Sequence, residues 1–280
     1  MTRQQLRRTL DGFYRFLIVD RGMGLITAQG YCRTIRPLLM RYNSLKPTHE
    51  QYRQYIFTMR HGGYSYNHIL NTILALEHYT SHKRYPLKIG RPKKPKRLIP
   101  HTLSEAEVAR LIQAAPDLRQ QAIVAVLAFS GIRNRELCRL KVSHLDPAMN
   151  RLIIIDGKGQ KDRFANISSE CTKLLLDYLT KYVRSSDAFL FTTVRHERKL
   201  DTADVRKIVR LMAVKAKLMR RIYPHLLRHS LATNLLNRGA SLLTIREQLG
   251  HAFIESTMIY AHPMPARARA EYDYFKPAYL

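Results

Sequence analysis

Acidic side chains are scarce in this 280-residue chain, with 21 Asp and Glu against 48 Lys and Arg and a formal charge of +27. Such a balance argues against a basic partner and calls for a polyanion. The surplus is not confined to a tail. Residues 1–100 hold 19 basic and 4 acidic side chains, and the remainder holds 29 and 17. Both halves are therefore expected to face the anion, as suits a protein that grips its partner from two sides. Long apolar runs are also missing. The longest, Ala122–Phe129, falls far short of the roughly 20 residues that span a bilayer, so nucleic acid is a better expectation than a membrane surface. Cysteine is rare as well. Cys32, Cys138 and Cys171 are isolated, odd in number and without CxxC spacing, which excludes a disulfide framework and a cysteine-rich zinc module. They read as buried apolar residues in a reducing compartment. Asp11, Arg15 and Asp20 interrupt any apolar stretch behind the charged Thr2–Arg8, so the start does not read as a leader. The expectation is a soluble, cytoplasmic protein.

What is present is helical periodicity. Leu6, Leu10, Phe13 and Leu17 recur at three- and four-residue steps. A second helix is expected from Thr27 through Tyr31, Ile35, Leu38 and Leu39, and two more over His49–Met59 and Ser65–Ser81, parted by Gly62-Gly63. Residues 1–82 thus read as an all-α module. From Lys83 to Arg97 the composition changes to three prolines and eight cations in fifteen residues. Proline breaks helices and favours an extended path, so 83–101 reads as a basic linker, with Arg91, Lys93, Lys94, Lys96 and Arg97 as candidate DNA contacts. Thr102-Leu-Ser104-Glu-Ala-Glu107 has the polar cap and early acids of a helix start. A largely buried helix is expected over Leu118–Phe129, broken at Ser130-Gly131 and resumed over Arg135–Leu140. The β-branched run Arg151–Ile155, a Gly-containing connection and Arg163–Ile167 read as a β-hairpin. From Cys171 onward helices dominate. The fold class expected is mainly α with a small antiparallel sheet, and there is no internal repeat.

The densest chemistry is C-terminal. His225-Leu-Leu-Arg228-His229 is followed by Leu249-Gly250-His251 and then Tyr260. A phenol with an ordinary pKa of about 10 is mostly neutral at pH 7 and needs cations and a proton acceptor nearby to attack a phosphate. On a helix, His225 lies three residues before Arg228 and faces the same way. Planar guanidinium groups match the two non-bridging oxygens of a phosphodiester better than ammonium does. His225 and His229 also have the i, i+4 spacing of a zinc helix, but no HExxH order accompanies them and no third ligand is evident. No metal or cofactor is expected.

Taken together, the motifs resemble those of the tyrosine recombinase (phage integrase) family, in the manner of Xer-like site-specific recombinases. Ser130-Gly-Ile-Arg133-Asn-Arg-Glu136-Leu resembles the first arginine box, with Ser130 and Ile132 in place of the commoner Thr and Leu. Gly157-Lys158-Gly-Gln-Lys161-Asp-Arg163 resembles the hairpin lysine segment. His225–Thr233 and Leu249-Gly-His251 resemble the second box, and Ser256-Thr-Met-Ile-Tyr260-Ala-His262 the nucleophile segment. The likeness covers 102–262 and, more loosely, the N-terminal bundle.

The resemblance implies 1–82 as a core-binding (SAM-like) DNA-binding domain, 83–101 as the linker, and 102–280 as the catalytic domain with a C-terminal tail for protomer contacts, the two domains forming a clamp around DNA. It implies that the chain cleaves and rejoins strands through a 3′-phosphotyrosine bond, without ATP or metal. Tyr260 would be the nucleophile, Arg133 and Arg228 the phosphate clamps, and Lys158 the general acid, with Lys161 as the alternative. His225 would contact the phosphate or move the Tyr260 proton, and His251 would hydrogen-bond the phosphate. Glu136 would support the fold around Arg133. Tyr272, Tyr274 and Tyr279 lack the required distance from the Leu-Gly-His box. The implied partner is a double-stranded recombination site with inverted half-sites, bound by a homotetramer in the synapse and by a protein that is monomeric when free. Two other readings differ in their products. A type IB topoisomerase would relax a two-site plasmid without resolving it, and a non-catalytic DNA-binding regulator would need no nucleophile. Target sequence and biological role stay open between transposon resolution, chromosome-dimer resolution and element integration.

Overall fold

The computed structural model describes residues 1–95, 102–155, 162–182, 185–194 and 198–250. It divides into two compact units, Met1–Leu98 and Ile99–Leu280, each with its own core.

The first unit holds α1 (Arg3–Val19), α2 (Leu25–Arg41), α3 (His49–His61) and α4 (Tyr66–His82). Capping boxes start α1 and α3, Thr2 with Gln5 and Thr48 with Gln51; each satisfies two otherwise orphaned backbone donors. The periodic Leu6, Phe13 and Leu17 are buried, together with Ile35, Leu38 and Leu39 from α2 and Ile73 and Leu76 from α4. The expected start of α2 at Thr27 is corrected: the helix begins at Leu25, directly after an extended Gly24 without a side-chain cap. The two extra residues, Leu25 and Ile26, are exposed, so they add no buried period for a pattern reading to detect. The segment expected as a linker is tied to this unit where it is described. Leu87 is buried in the core, the Tyr85 and Tyr52 hydroxyls are 2.7 Å apart, and Arg60 donates to the Gly90 carbonyl at 2.9 Å.

The second unit contains α5 (Glu105–Gln113), α6 (Leu118–Ser130), α7 (Asn134–Leu137), β1 (Leu145–Asp146), β2 (Arg151–Ile154), β3 (Arg163–Asn166), α8 (Ser169–Lys181), α9 (Thr202–Lys215), α10 (Pro224–Asn237) and α11 (Leu242–Leu249). The fold class is that of the sequence reading, mainly α with a three-stranded antiparallel sheet in the order β1-β2-β3. The hairpin register pairs Ile154 with Arg163 and Leu152 with Ala165. The short β1 escaped the sequence reading, because two half-buried residues carry no alternation to read. Helix α6 is the hub: Ala122 to Ala128 are buried without a break, which is why the run looked like a core helix. Around it pack α5, α8, α9 and α10. Gly131 ends α6 at φ +64, and a Cβ there would lie 2.7 Å from a Leu249 methyl and 2.8 Å from one of Leu231. Both the conformation and the close approach require glycine. The helix expected over Arg135–Leu140 is corrected to the single turn α7, with Arg133 as its N-cap residue. The chain leaves helical geometry early because Leu140 accepts a backbone bond from Leu190 at 2.8 Å and Lys141 bridges to Phe189.

Candidate active site

Two arginines far apart in sequence converge on one turn. Arg133 follows the glycine that ends α6 and caps α7, and its Nη2 donates to the Gly250 carbonyl at 3.0 Å. Arg228 lies on α10, and its Nη2 donates to the neighbouring Leu249 carbonyl at 2.8 Å while Nη1 donates to the Gly131 carbonyl at 2.7 Å. The guanidinium groups thus hold consecutive carbonyls at the C-terminal end of α11, where Gly250 adopts a left-handed cap at φ +64. A helix C-terminus presents carbonyl oxygens that suit cations. Arg228 is sealed, at 1 % exposure, whereas the Arg133 side chain is 39 % exposed. The core fixes one prong and solvent reaches the other.

His225 sits in the first turn of α10, whose N1 residue is Pro224. The ring is 4.4 Å from that of His229, edge to face. The surroundings of His225 hold its pKa below the ordinary imidazole value, first by partial burial and then through the positive charges of Arg228 and Arg133. Its place at a helix N-terminus acts in the same direction. Burial, then the charges of His225 and Arg228, push His229 down to about 4. Both imidazoles are neutral at pH 7, so His225 adds no charge to the resting site and keeps a ring nitrogen free to accept a hydrogen bond or a proton.

Glu136 ties the site together. Its Oε2 accepts from the Arg133 backbone N–H at 2.7 Å and its Oε1 from Arg133 Nη1 at 2.7 Å. Arg163, at the start of β3, adds a fork onto the same carboxylate, Nη1 to Oε1 at 3.2 Å and Nη2 to Oε2 at 2.8 Å. Burial alone would raise the Glu136 pKa. The hydrogen bonds and charge of Arg163, followed by the donors of Arg133, outweigh it and hold the carboxyl below its ordinary value. Two guanidinium groups therefore share one carboxylate, and with Arg228 on the adjoining turn the cluster stays positive. Gln248 closes the frame: its amide donates to the Ser130 carbonyl at 3.1 Å and the Asn166 carbonyl at 2.8 Å, and accepts from the Asn166 N–H at 3.1 Å. It joins the end of α6 to β3 and α11.

The structure brings Arg133, His225 and Arg228 to one place, with Glu136 beside Arg133. Lys158, Lys161, His251 and Tyr260 lie outside the described residues, as do Lys96, Arg97 and the tail residues Tyr272, Tyr274 and Tyr279. Lys93 and Lys94 are exposed, while Arg91 is 3.6 Å from Glu77. The sequence reading missed Arg163 and Gln248 as parts of the site. Arg163 stood inside a quoted motif, and its available signal was a cation opening the return strand. Gln248 had none beyond its nearness to the glycine turn. Among the described residues no group of His, Cys, Asp and Glu could hold a metal ion, and no helix is long and apolar enough to cross a membrane.

Comparison with known proteins places this geometry among relatives. The model of the phage integrase family matches residues 101–267. The tyrosine recombinase XerA of Pyrococcus horikoshii is 35% identical over 222 residues, covering 76% of this chain and 75% of that protein. The tyrosine recombinase XerC of Bacillus pumilus is 30% identical over 97% of this chain and 96% of that protein. In fold, the chain resembles the XerH site-specific recombinase bound to its difH substrate, with a TM-score of 0.68 at 22% identity over 89% of this chain and 81% of that one.

Proposed function

This chain belongs to the phage integrase family, and on that premise we propose how its own residues carry out site-specific DNA recombination. The protein is a tyrosine recombinase, an enzyme that cleaves and rejoins DNA strands, and its partner is DNA. The observation that carries the residue assignment is the convergence of Arg133 and Arg228 on the Leu249-Gly250 carbonyls. That pairing supports two guanidinium groups set at one scissile phosphate, Arg133 from the solvent side and Arg228 from the core, where charge builds on the non-bridging oxygens as phosphorus becomes five-coordinate.

Tyr260 attacks phosphorus through its phenolic oxygen, a phosphotyrosine bond forms on the 3′ side, and the bond to the 5′ oxygen breaks. Neutral His225 is suited to take the phenol proton or to donate to a phosphate oxygen. Lys158, with Lys161 as the alternative, gives the 5′ oxygen its proton, and His251 hydrogen-bonds the phosphate. Rejoining runs the same steps backwards with a 5′ hydroxyl from the partner strand. The phosphodiester energy is held in the covalent bond, so no ATP is needed.

The active assembly is a homotetramer on two sites with inverted half-sites, formed from protomers that are monomeric in free solution in the cytoplasm. The first unit serves as the core-binding domain, and Arg91, Lys93, Lys94, Lys96 and Arg97 track the backbone. The tail, 265–280, seats on a neighbouring protomer. An apolar groove of about 700 Å³ on the second unit, lined by Val108, Ile112, Leu174, Leu231 and Leu235 among others, supports that role by offering a place for Tyr272, Tyr274 and Phe275. Deleting 265–280 is expected to spare DNA binding and abolish synapsis; unchanged synapsis would remove the tail from the assembly.

The central test uses duplexes recovered from a randomised pool by binding to the wild-type protein, then nicked at successive positions. Wild type and Tyr260→Phe are both expected to form a salt-sensitive complex. Only wild type should yield a protein–DNA covalent adduct, and an adduct with Tyr260→Phe would assign the nucleophile elsewhere.

A further inference from the structure

We propose that Arg163 is a positioning residue for strand cleavage, one that occupies Glu136 so that Arg133 stays available to the phosphate. The proposal rests on the reading of Arg133 as a phosphate clamp and names what holds that clamp open.

A carboxylate offers about four lone-pair sites. Glu136 fills four, two with Arg133 donors and two with the Arg163 fork. One of the Arg133 donors is its backbone N–H, so its guanidinium gives Glu136 a single N–H and Gly250 one more. Of its five side-chain donors, the other three have no acceptor among the described residues. Guanidinium and carboxylate otherwise prefer a two-pronged fork. Removing the Arg163 fork reopens an acceptor on each oxygen, and Arg133 can then close onto Glu136 with both amino groups. The clamp would be spent on its own neighbour.

Three further observations show that Arg163 is held to this geometry. Glu136 is 9 % and Arg163 15 % exposed at the side chain, so solvent does not compete for the pair. The stem and Nε of Arg163 lie against Gly250, where an added Cβ would collide with both Nε and Cδ. The glycine that receives Arg133 also makes room for Arg163. Finally, Arg163 Nε is buried with no acceptor among the described residues. An unpaired buried donor is a cost that persists where another requirement fixes the side chain. Arg163 also opens β3, two residues after Lys161, and so links the hairpin arm to the arginine clamp.

The experiment uses the full-length protein and the nicked duplex described above. It measures the cleavage rate at saturating DNA and the DNA concentration at half-saturation for wild type, Arg163→Met, Arg163→Lys, Glu136→Gln, the Arg163→Met/Glu136→Gln double variant and Arg133→Ala. Arg163→Met is expected to slow cleavage at saturation about tenfold or more, the scale of a misplaced catalytic group, with half-saturation little changed. Arg163→Lys should recover part of the rate, because an ammonium keeps the charge but lacks the planar fork. In the Glu136→Gln background Arg163→Met should cost at most about twofold more, the non-additivity of residues acting through one another. Wild-type cleavage by Arg163→Met, an equal loss with and without Glu136, or half-saturation rising in step with the rate loss would each overturn the proposal. If Arg163→Met does not fold, Arg163→Lys carries the same cycle, and an undiminished rate there, or a loss equal in both backgrounds, is equally decisive. Undiminished cleavage by Arg133→Ala would instead remove the clamp reading on which the proposal stands.

Discussion

In the first unit the ion pairs lie at the surface: Arg53 and Glu50 join side chains 63 % and 79 % exposed at 4.0 Å. In the second unit Glu136, Arg163 and Arg228 are drawn inside, and Arg119 is buried with its Nε on the Thr192 carbonyl at 2.7 Å. The polar groups buried in the first unit are instead neutral hydroxyls, such as Tyr79 donating to the Leu45 carbonyl at 2.7 Å. Burying charge is costly and adds less to stability than well-packed apolar side chains of similar volume. A fold that accepts this cost does so where an electrostatic task demands it, and on the reading proposed above the second unit's task is to hold fixed cations for a phosphate. The first unit can rest on apolar packing and leave its cations in water.

The comparison breaks most easily at Gly250. Gly250→Ala would force alanine to φ +64 and drive its Cβ into Arg163. Left-handed strain and overpacking together should cost about 2–4 kcal/mol in denaturant unfolding of the second unit, with cleavage lost alongside. A variant as stable and as active as wild type would mean that the turn is not under the constraint seen here. The matching change in the first unit is Tyr79→Phe. It removes one neutral hydrogen bond and leaves the Leu45 carbonyl without that donor, so about 1–2 kcal/mol is expected from the urea midpoint. Cleavage at saturating DNA should not change.

Acid sharpens the contrast further. His229 titrates near its ordinary 6.5 in the unfolded chain and at about 4 when folded. Above 6.5 both states are neutral and stability is complete. As pH falls from 6.5 to 4 the unfolded chain takes up the proton first, so stability falls with acid and levels off below 4. For a ring partly open to solvent the effect should be on the order of 1 kcal/mol. His229→Gln should flatten the unfolding profile over that window, and an unchanged slope would show the ring to be no more buried than in the unfolded chain.

The same contrast explains how much the sequence disclosed. The helices of the first unit were legible because apolar packing leaves a period: Phe13 and Leu17 on α1, Ile35 and Leu38 on α2, all fully buried. Helix α6 was legible by the opposite sign, an unbroken apolar run. In the candidate site, Arg133, His225 and Arg228 could be singled out because each stands in a motif with a chemical reason for its residue type, and the structure brings the three together. Glu136 was read as support for Arg133, and the carboxylate does hold both its backbone and its side chain. What sequence could not show was the sharing of that carboxylate. The Arg163–Glu136 fork joins residues 27 apart, and the Gln248 bond to Ser130 spans 118. Neither follows a helical or strand period, so no local pattern announces it. The single turn of α7 was overcalled for a related reason: the partner that ends it, Leu190, is distant in sequence.

The smallest effect tests the comparison from its other side. Arg53→Ala removes a pair that solvent surrounds, with the charges 4.0 Å apart and both side chains mostly exposed. Water and salt screen such a pair, and ordering two long side chains offsets what attraction remains, so the stability change should stay within about 0.5 kcal/mol. If Arg53→Ala cost well over 1 kcal/mol, the surface cations of the first unit would be structural after all. The distinction would then vanish between a unit that keeps its charges for a partner and one that builds them into its frame.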